Sequence, residues 1–288
     1  MKHISSIKEI DHYQYFIFDI WGVVHDGESV YDGVIDAIKY LRSQDKKICF
    51  VSNAPRRKFI VANLLHKLGI TSDLYDFIIT SGEVAFLQLQ QNQEDNFINQ
   101  SNKYYYIGPE KDIDLLQELD YTIVDSAKEA SFIITTGFDH DRSNINEKIP
   151  QIKECLEYNL PMICVNPDLI VVKKDGRKMN CAGIIGKQYE ELGGKVEYCG
   201  KPYESIYKMT CNLFNIKQKD RVIAIGDGIE TDILGASNSK IDSLLVTGGI
   251  LSNVMNIKYW QDCNRDQLEA ICNENKIFPN FIISNLKL

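Results

Sequence analysis

Four polar side chains in this sequence stand where an apolar run gives way to a turn. Asp19 closes Tyr15-Phe16-Ile17-Phe18, and Ser52 closes Ile48-Cys49-Phe50-Val51. Lys201 follows Val196–Cys199 and a glycine, and Asp227 lies in Gly226-Asp227-Gly228 after Val222–Ile225, with Asp232 in the helix expected next. A carboxylate at the end of a buried strand costs desolvation energy unless something pairs with it. Two carboxylates far apart in sequence, a lysine and a hydroxyl at a helix start would make a site for a hard cation and a phosphate. Mg²⁺ prefers one or two carboxylates together with phosphate oxygens and water. Lys201 can act as a point charge on a phosphoryl group. A helix starting just after Ser52, with Pro55 in its first turn, would turn free N–H groups toward an anion.

Such residues converge only if their strands are parallel neighbours, and the pattern of elements supports this. Residues 32–44 carry Val34, Ile35, Ile38 and Leu41 at helical spacing, and a second helix containing Ile60, Leu64, Leu65 and Leu68 is closed by Gly69. Phe77-Ile78-Ile79 reads as a third strand. The strand–helix rhythm with short loops is that of a parallel sheet with crossover helices. Asp26-Gly27, between Val24 and Val30, predicts a tight hairpin. Gln90 to Asn102 is polar and amide-rich, a surface connector. Beyond it lie strand-like runs at 104–107, 122–124, 132–136, 162–165 and 169–172, with helices expected over 111–119, 145–158 and 181–192; this middle third is expected to form a small α/β unit of its own. A helix from about Glu204 to Leu213, a strand at Leu244–Thr247 and an edge element at Phe281–Ser284 complete the reading.

The 288 residues allow two domains of ordinary size. A hydrophobic share of 44% with 25% charged residues is a normal globular balance. The net charge of −8 leaves no basic surplus for a nucleic-acid surface. No apolar stretch approaches the roughly 18 residues needed to span a membrane, and the first residues lack the apolar core of a signal peptide. The 8 cysteines are scattered without metal or CxxC spacing, so they are expected to be reduced, buried and inert, as suits a cytoplasmic protein.

Taken together, FDIWGV at 18–23, Ser52-Asn53 with Arg57, Lys201-Pro202, and Gly226-Asp227-Gly228 followed by Asp232 resemble the four motifs of the haloacid dehalogenase superfamily of phosphotransferases. Thr80-Ser81-Gly82-Glu83, Asn166-Pro167-Asp168, Cys181-Ala182-Gly183 and Val246-Thr247-Gly248 are further family-like fragments. Only 33 positions separate Asp19 from Ser52, whereas 149 separate Ser52 from Lys201. That placement of the long insertion resembles the class II, A-type cap branch, the NagD-like phosphatases. The resemblance implies an α/β fold: a Rossmann-like, doubly wound parallel-sheet core from residues 1–83 and 197–288, with an inserted α/β cap domain over 84–196. It further implies Asp19 as nucleophile, forming an aspartyl-phosphate. Mg²⁺ would be held by Asp19, the backbone carbonyl of Trp21 and Asp227, with Asp232 orienting the metal's water shell or Lys201. Ser52, Asn53 and Lys201 would bind phosphoryl oxygens, and the partner would be a small phosphorylated metabolite. Caps of this type also mediate homodimers.

The chain departs from the family at Trp21, which stands where those phosphatases place a second Asp as general acid and base. Losing that group costs about 10²–10⁴-fold, so the expectation is a phosphatase of low turnover on a small phosphate monoester. His25 and Asp26 are the nearby candidates to replace it; Asp26 is better explained by its turn, and a lone histidine beside a turn is more often a surface residue. Arg56 and Arg57 read as a solvated helix face more than as phosphate ligands, with Arg57 the better candidate for a ligand. Asn166 and Asp168 are read as closing a loop, with substrate contact as the alternative, and Trp21 as packing between core and cap. Two rival functions are a catalytically weak or inactive phosphometabolite-binding protein and a dehalogenase; the cap position and the pair Asp227/Asp232 disfavour the latter.

Overall fold

The computed structural model of the protein describes residues 1–91, 101–172, 177–258 and 261–288. Its elements in chain order are β1 (Lys2–His3), β2 (Tyr15–Asp19), α1 (Val34–Ser43), β3 (Lys47–Ser52), α2 (Lys58–Lys67), β4 (Phe77–Thr80) and α3 (Ser81–Gln90). There follow β5 (Lys103–Ile107), β6 (Thr122–Val124), β7 (Phe132–Thr135), α4 (Ile149–Glu157), β8 (Met162–Cys164), β9 (Ile170–Val172), β10 (Lys178–Asn180), α5 (Ala182–Glu191) and β11 (Val196–Tyr198). The chain ends with α6 (Glu204–Leu213), β12 (Val222–Gly226), α7 (Leu234–Asn238), β13 (Asp242–Val246), α8 (Ile250–Met255), α9 (Arg265–Asn275) and β14 (Phe281–Ile283).

A strand buried on both faces reads as an unbroken apolar run, and β2 shows why. Phe16 and Phe18 join a cluster with Ala37, Ile38 and Leu41 of α1 and Val61 and Leu65 of α2. Ile17 joins the opposite cluster with Val84 and Phe86 of α3 and Ile206 and Tyr207 of α6. Fully buried side chains of this size stabilise by roughly 1.5–3 kcal/mol each, which anchors the strand whose last residue is Asp19. Helices therefore cover both faces of a parallel seven-stranded sheet in the order β1-β14-β13-β12-β2-β3-β4. From β2 the chain moves outward through β3 and β4; from β12 it moves the other way through β13 and β14. Ligands in open α/β sheets bind at such a reversal, outside the carboxyl ends of the strands.

The second sheet, β11-β8-β7-β5-β6, is also parallel. One of its faces packs on Ile152 and Cys155 of α4 and Ile185 and Tyr189 of α5. The other contributes Tyr104, Phe132 and Ile163 to the cluster that already holds Ile17 and Phe86, so apolar packing runs continuously from one sheet to the other. The antiparallel pair β9–β10 stands apart from both.

Several local expectations are corrected. Pro55 lies outside α2, which starts three residues later at Lys58; Ile60 and Leu64 are exposed, and Val61 and Leu65 are its buried residues. Asp26-Gly27 does not make a two-residue hairpin. Instead the Asp26 carboxylate accepts the N–H groups of Glu28 and Ser29, and a single antiparallel bridge joins His25 to Val30. The 111–119 helix is a 3₁₀ segment over Glu110–Leu116. β14 is not an edge, because β1 pairs outside it. β11 pairs with β8, so the second sheet extends to Tyr198, two residues beyond the expected boundary. Of the expected polar connector, residues 92–100 lie outside the described residues.

Candidate active site

The strands at the reversal deliver two acids side by side: Asp19 ends β2, and Asp227 directly follows β12. Asp232 reaches the same point from the π-helical turn Ile229–Ile233. All three are buried, and their carboxylate oxygens lie within 4.8 Å of one another. Lys201, also buried, points its ammonium into the group and donates to Asp19 Oδ1, to Asp232 Oδ1 at 2.7 Å, and to the Val51 carbonyl at 3.4 Å. It comes not from a strand end of the first sheet but from the loop between β11 and α6. Glycine makes the close approach possible: at Gly22 (φ +84°) and Gly249 a Cβ would overlap the Asp227 carboxylate.

Charge in this group does not balance. Burial disfavours the Lys201 ammonium, but Asp19 and Asp232 outweigh it and hold the lysine well above its usual range. Asp19 is pushed up by burial, against the pull of Lys201. Asp227 is pushed well above the carboxylate range by burial and then by Asp19 and Asp232; its closest donor is the Ile250 N–H at 2.6 Å, at the start of α8. The three buried carboxylates offer oxygen donors in excess of the one ammonium, a donor set that suits a small hard divalent cation. The residues fit Mg²⁺ on that ground.

The surroundings of Lys201 are built by Asn53. Its Oδ1 accepts the Lys201 N–H at 2.7 Å, and its Nδ2 donates to the Lys201 carbonyl at 3.0 Å and to Asp168 Oδ1 at 2.8 Å. Both amide hydrogens of Asn53 are thereby engaged, so the side chain clamps the lysine loop instead of offering a donor to phosphate. Asp168 itself is ordered by Asn166, whose Oδ1 accepts the Asp168 N–H at 3.0 Å. The segment 166–168 is thus brought to the site, Asp168 directly and Asn166 in support. Ser52 is buried beside it, its hydroxyl accepting the Ala54 N–H at 3.2 Å. No helix begins behind that hydroxyl, which removes the helix-terminus contribution expected from Ser52.

Arg57 is not brought into the group. Its Nε donates to Glu83 Oε2 at 2.9 Å, its Nη1 lies 3.4 Å from Glu118, and its guanidinium stacks 3.3 Å over the Phe86 ring. Glu83, a buried acid one turn into α3, claims it for structure. Arg56 pairs with the buried Asp112 at 2.8 Å and is not simply solvated. The Trp21 ring lies against Gly27 and edge-on to His25, 5.7 Å away. His25 is buried, not a surface residue; its Nδ1 accepts the Gly27 N–H at 2.9 Å, and burial lowers its basicity.

Sequence reasoning named Glu83 only as part of a family-like fragment and missed Tyr207 and Ile250. Thr80-x-x-Glu83 carries a capping signature, and Thr80 does accept the Glu83 N–H at 3.0 Å. Tyr207, whose hydroxyl donates to the Asp232 carbonyl at 3.1 Å, and the Ile250 N–H had no local signal.

The haloacid dehalogenase-like hydrolase family matches residues 16–122, and the HAD-hydrolase-like family matches residues 198–273, so the two matches take in every member of the acidic group. The chain belongs to the haloacid dehalogenase-like hydrolases. It is 29% identical to phosphoglycolate phosphatase 2 of Arabidopsis thaliana over 86% of this chain and 87% of that one. It is 26% identical to the sugar-phosphatase AraL of Bacillus subtilis over 81% of this chain and 82% of that one. A haloacid dehalogenase-like hydrolase from Brucella suis 1330 superposes with a TM-score of 0.81 at 27% identity, covering 98% and 99% of the two chains. This haloacid dehalogenase-like chain thus shares both the NagD-type arrangement of the family and its α/β architecture.

Proposed function

We propose that the protein is a Mg²⁺-dependent phosphatase of small phosphate monoesters that works through an aspartyl-phosphate on Asp19. The observation that carries this reading is the buried group itself: Asp19 at the sheet reversal, held by Lys201 and set beside two further acids. Relatives that are phosphatases for phosphoglycolate and sugar phosphates support the reaction class. A site dominated by buried carboxylates would repel a phosphate unless its charge were offset. Asp19, the Trp21 carbonyl and Asp227 would hold the cation, with Asp232 fixing Lys201. The cation supplies positive charge for the phosphoryl oxygens when bound.

Within this frame the chain's own groups divide the work. Asp19 attacks phosphorus, and its carboxylate becomes the acyl side of the phosphoanhydride. Lys201 contributes charge toward the transferring group from a position that Asn53, Asp232 and the Val51 carbonyl already define, so little reorganisation is needed. The indole of Trp21 carries no acidic proton for the leaving oxygen, which makes slow turnover the expected behaviour.

The test is phosphate release from 4-nitrophenyl phosphate and a panel of phosphorylated metabolites with Mg²⁺. Slow hydrolysis that Asp19→Asn abolishes is expected, and Trp21→Asp should accelerate it. If wild type released nothing while Trp21→Asp turned over, catalysis would be ruled out. Stabilisation by phosphorylated metabolites without turnover would then point to the binding-protein reading that Trp21 also favours.

A further inference from the structure

Hydrolysis of an alkyl phosphate needs a proton for a leaving oxygen that is a poor anion in water, and general acid catalysis normally meets that need. The groups nearest Trp21 do not. His25 uses Nδ1 to accept the Gly27 N–H, and burial disfavours its protonated form. The Asp26 carboxylate is taken up by its own turn, accepting the Glu28 and Ser29 N–H groups. Tyr31 is held above its usual range, chiefly by burial and then by Asp227 and Asp26, so it is a weaker acid than an ordinary phenol.

The remaining acid is carried by the inserted segment. Asp168 follows β8 of the second sheet, while Asp19 ends β2 of the first. The two are linked through one chain of contacts: Asp168 to Asn53, Asn53 to the Lys201 backbone, and the Lys201 ammonium to Asp19. Pro167 docks where a Cβ on Gly200 would meet it at 3.0 Å, seating the loop against the lysine. Withdrawal from water raises the Asp168 pKa, a shift that Asn53 and Lys201 oppose without cancelling. In-line attack by Asp19 sends the leaving oxygen to the opposite apex of phosphorus, away from the floor of the first sheet.

We propose that Asp168, supplied by the inserted segment, is the proton donor and acceptor of this site in place of a carboxyl at position 21. The inference rests on the phosphatase reading above. In the first step the Asp19–phosphorus bond forms as the ester oxygen–phosphorus bond breaks; the electron pair stays on the ester oxygen, which takes the proton of Asp168 and leaves as the alcohol. Water then enters the vacated side, gives its proton to the Asp168 carboxylate, and attacks phosphorus. The Asp19–phosphorus bond breaks, phosphate leaves, and both carboxyl groups return to their starting states. One residue can serve both steps because leaving group and water share one face.

The experiment compares alcohol release in a single turnover by wild type and Asp168→Asn, with Mg²⁺, on 4-nitrophenyl phosphate and glycerol phosphate. Asn keeps the acceptor for Asn53, so the loop contact survives, and an unchanged unfolding temperature checks this. The alkyl ester should slow by about 10²–10³-fold and the aryl ester by less than about 10-fold, because nitrophenolate leaves without a proton. Equal losses on the two esters would reduce Asp168 to a positioning residue and overturn the proposal, as would no loss on either. Absence of release from both esters by wild type would instead overturn the phosphatase reading, and this inference with it.

Discussion

Glu83 and Asp227 are both buried carboxylates, yet their surroundings push them in opposite directions. Burial alone would raise Glu83, but hydrogen bonds from Arg57 and Lys58 outweigh it and hold the acid below the usual range. Asp227 has no such cation beside it among the described residues and is raised instead. Glu83 therefore stabilises the folded chain, whereas ionised Asp227 weakens it. A depressed folded-state pKa contributes stability that is present above the unfolded value, near 4.3, and lost as pH falls through the folded value. Glu83→Gln should thus cost about 1.5–3 kcal/mol at pH 7. The difference from wild type should narrow at acid pH, as pH falls through the lowered folded value. Urea midpoints at neutral and acid pH measure this, and a gap that persisted in acid would show that the loss comes from packing.

At the scale of elements, the site depends on loops that let backbone approach carboxylate. The turn after β2 folds back through the His25 carbonyl, which accepts the Gly22 N–H at 3.0 Å, and leaves Gly22 at φ +84° against Asp227. Gly22→Ala would face two costs. The left-handed backbone is unfavourable by about 1–2 kcal/mol for a residue with a Cβ, and the new methyl would displace the Asp227 carboxylate. Mg²⁺ at 100 times its Kd should stabilise wild type by about 2.7 kcal/mol, or roughly 2–4 °C per kcal/mol in a chain of this size. The variant should lose most of that increment in thermal unfolding with and without Mg²⁺. An unchanged increment would mean that Asp227 takes no part in holding the cation.

For the whole molecule, one short loop after β3 joins the two sheets' territories. Asn53 reaches Asp168, Arg56 reaches Asp112, and Arg57 reaches Glu118, so three successive contacts tie residues 53–57 to the inserted segment. Arg56→Ala would leave the buried Asp112 without its cation at a cost of about 1–3 kcal/mol. Because the contact lies away from the carboxylates, KM should rise by roughly 3–10-fold, corresponding to about 0.7–1.4 kcal/mol of binding, with kcat little changed. Steady-state kinetics beside a melting curve separate these effects, and a fall in kcat alone would refute the assignment. The apolar runs ending at Asp19, Ser52 and Gly226 determined the parallel sheet, the element order and the main acids, because strand burial and strand-end chemistry are written in local sequence. The sequence was silent on what depends on side chains meeting across long separations. Arg57 looked free until Glu83 folded onto it, and Asn53 looked like a phosphate ligand until Lys201 and Asp168 took its hydrogens. Asp168 looked like a loop residue until the fold brought its carboxylate to Asn53 beside Lys201. Local pattern records which groups are polar and where strands end; only the assembled sheets decide which polar group each one satisfies.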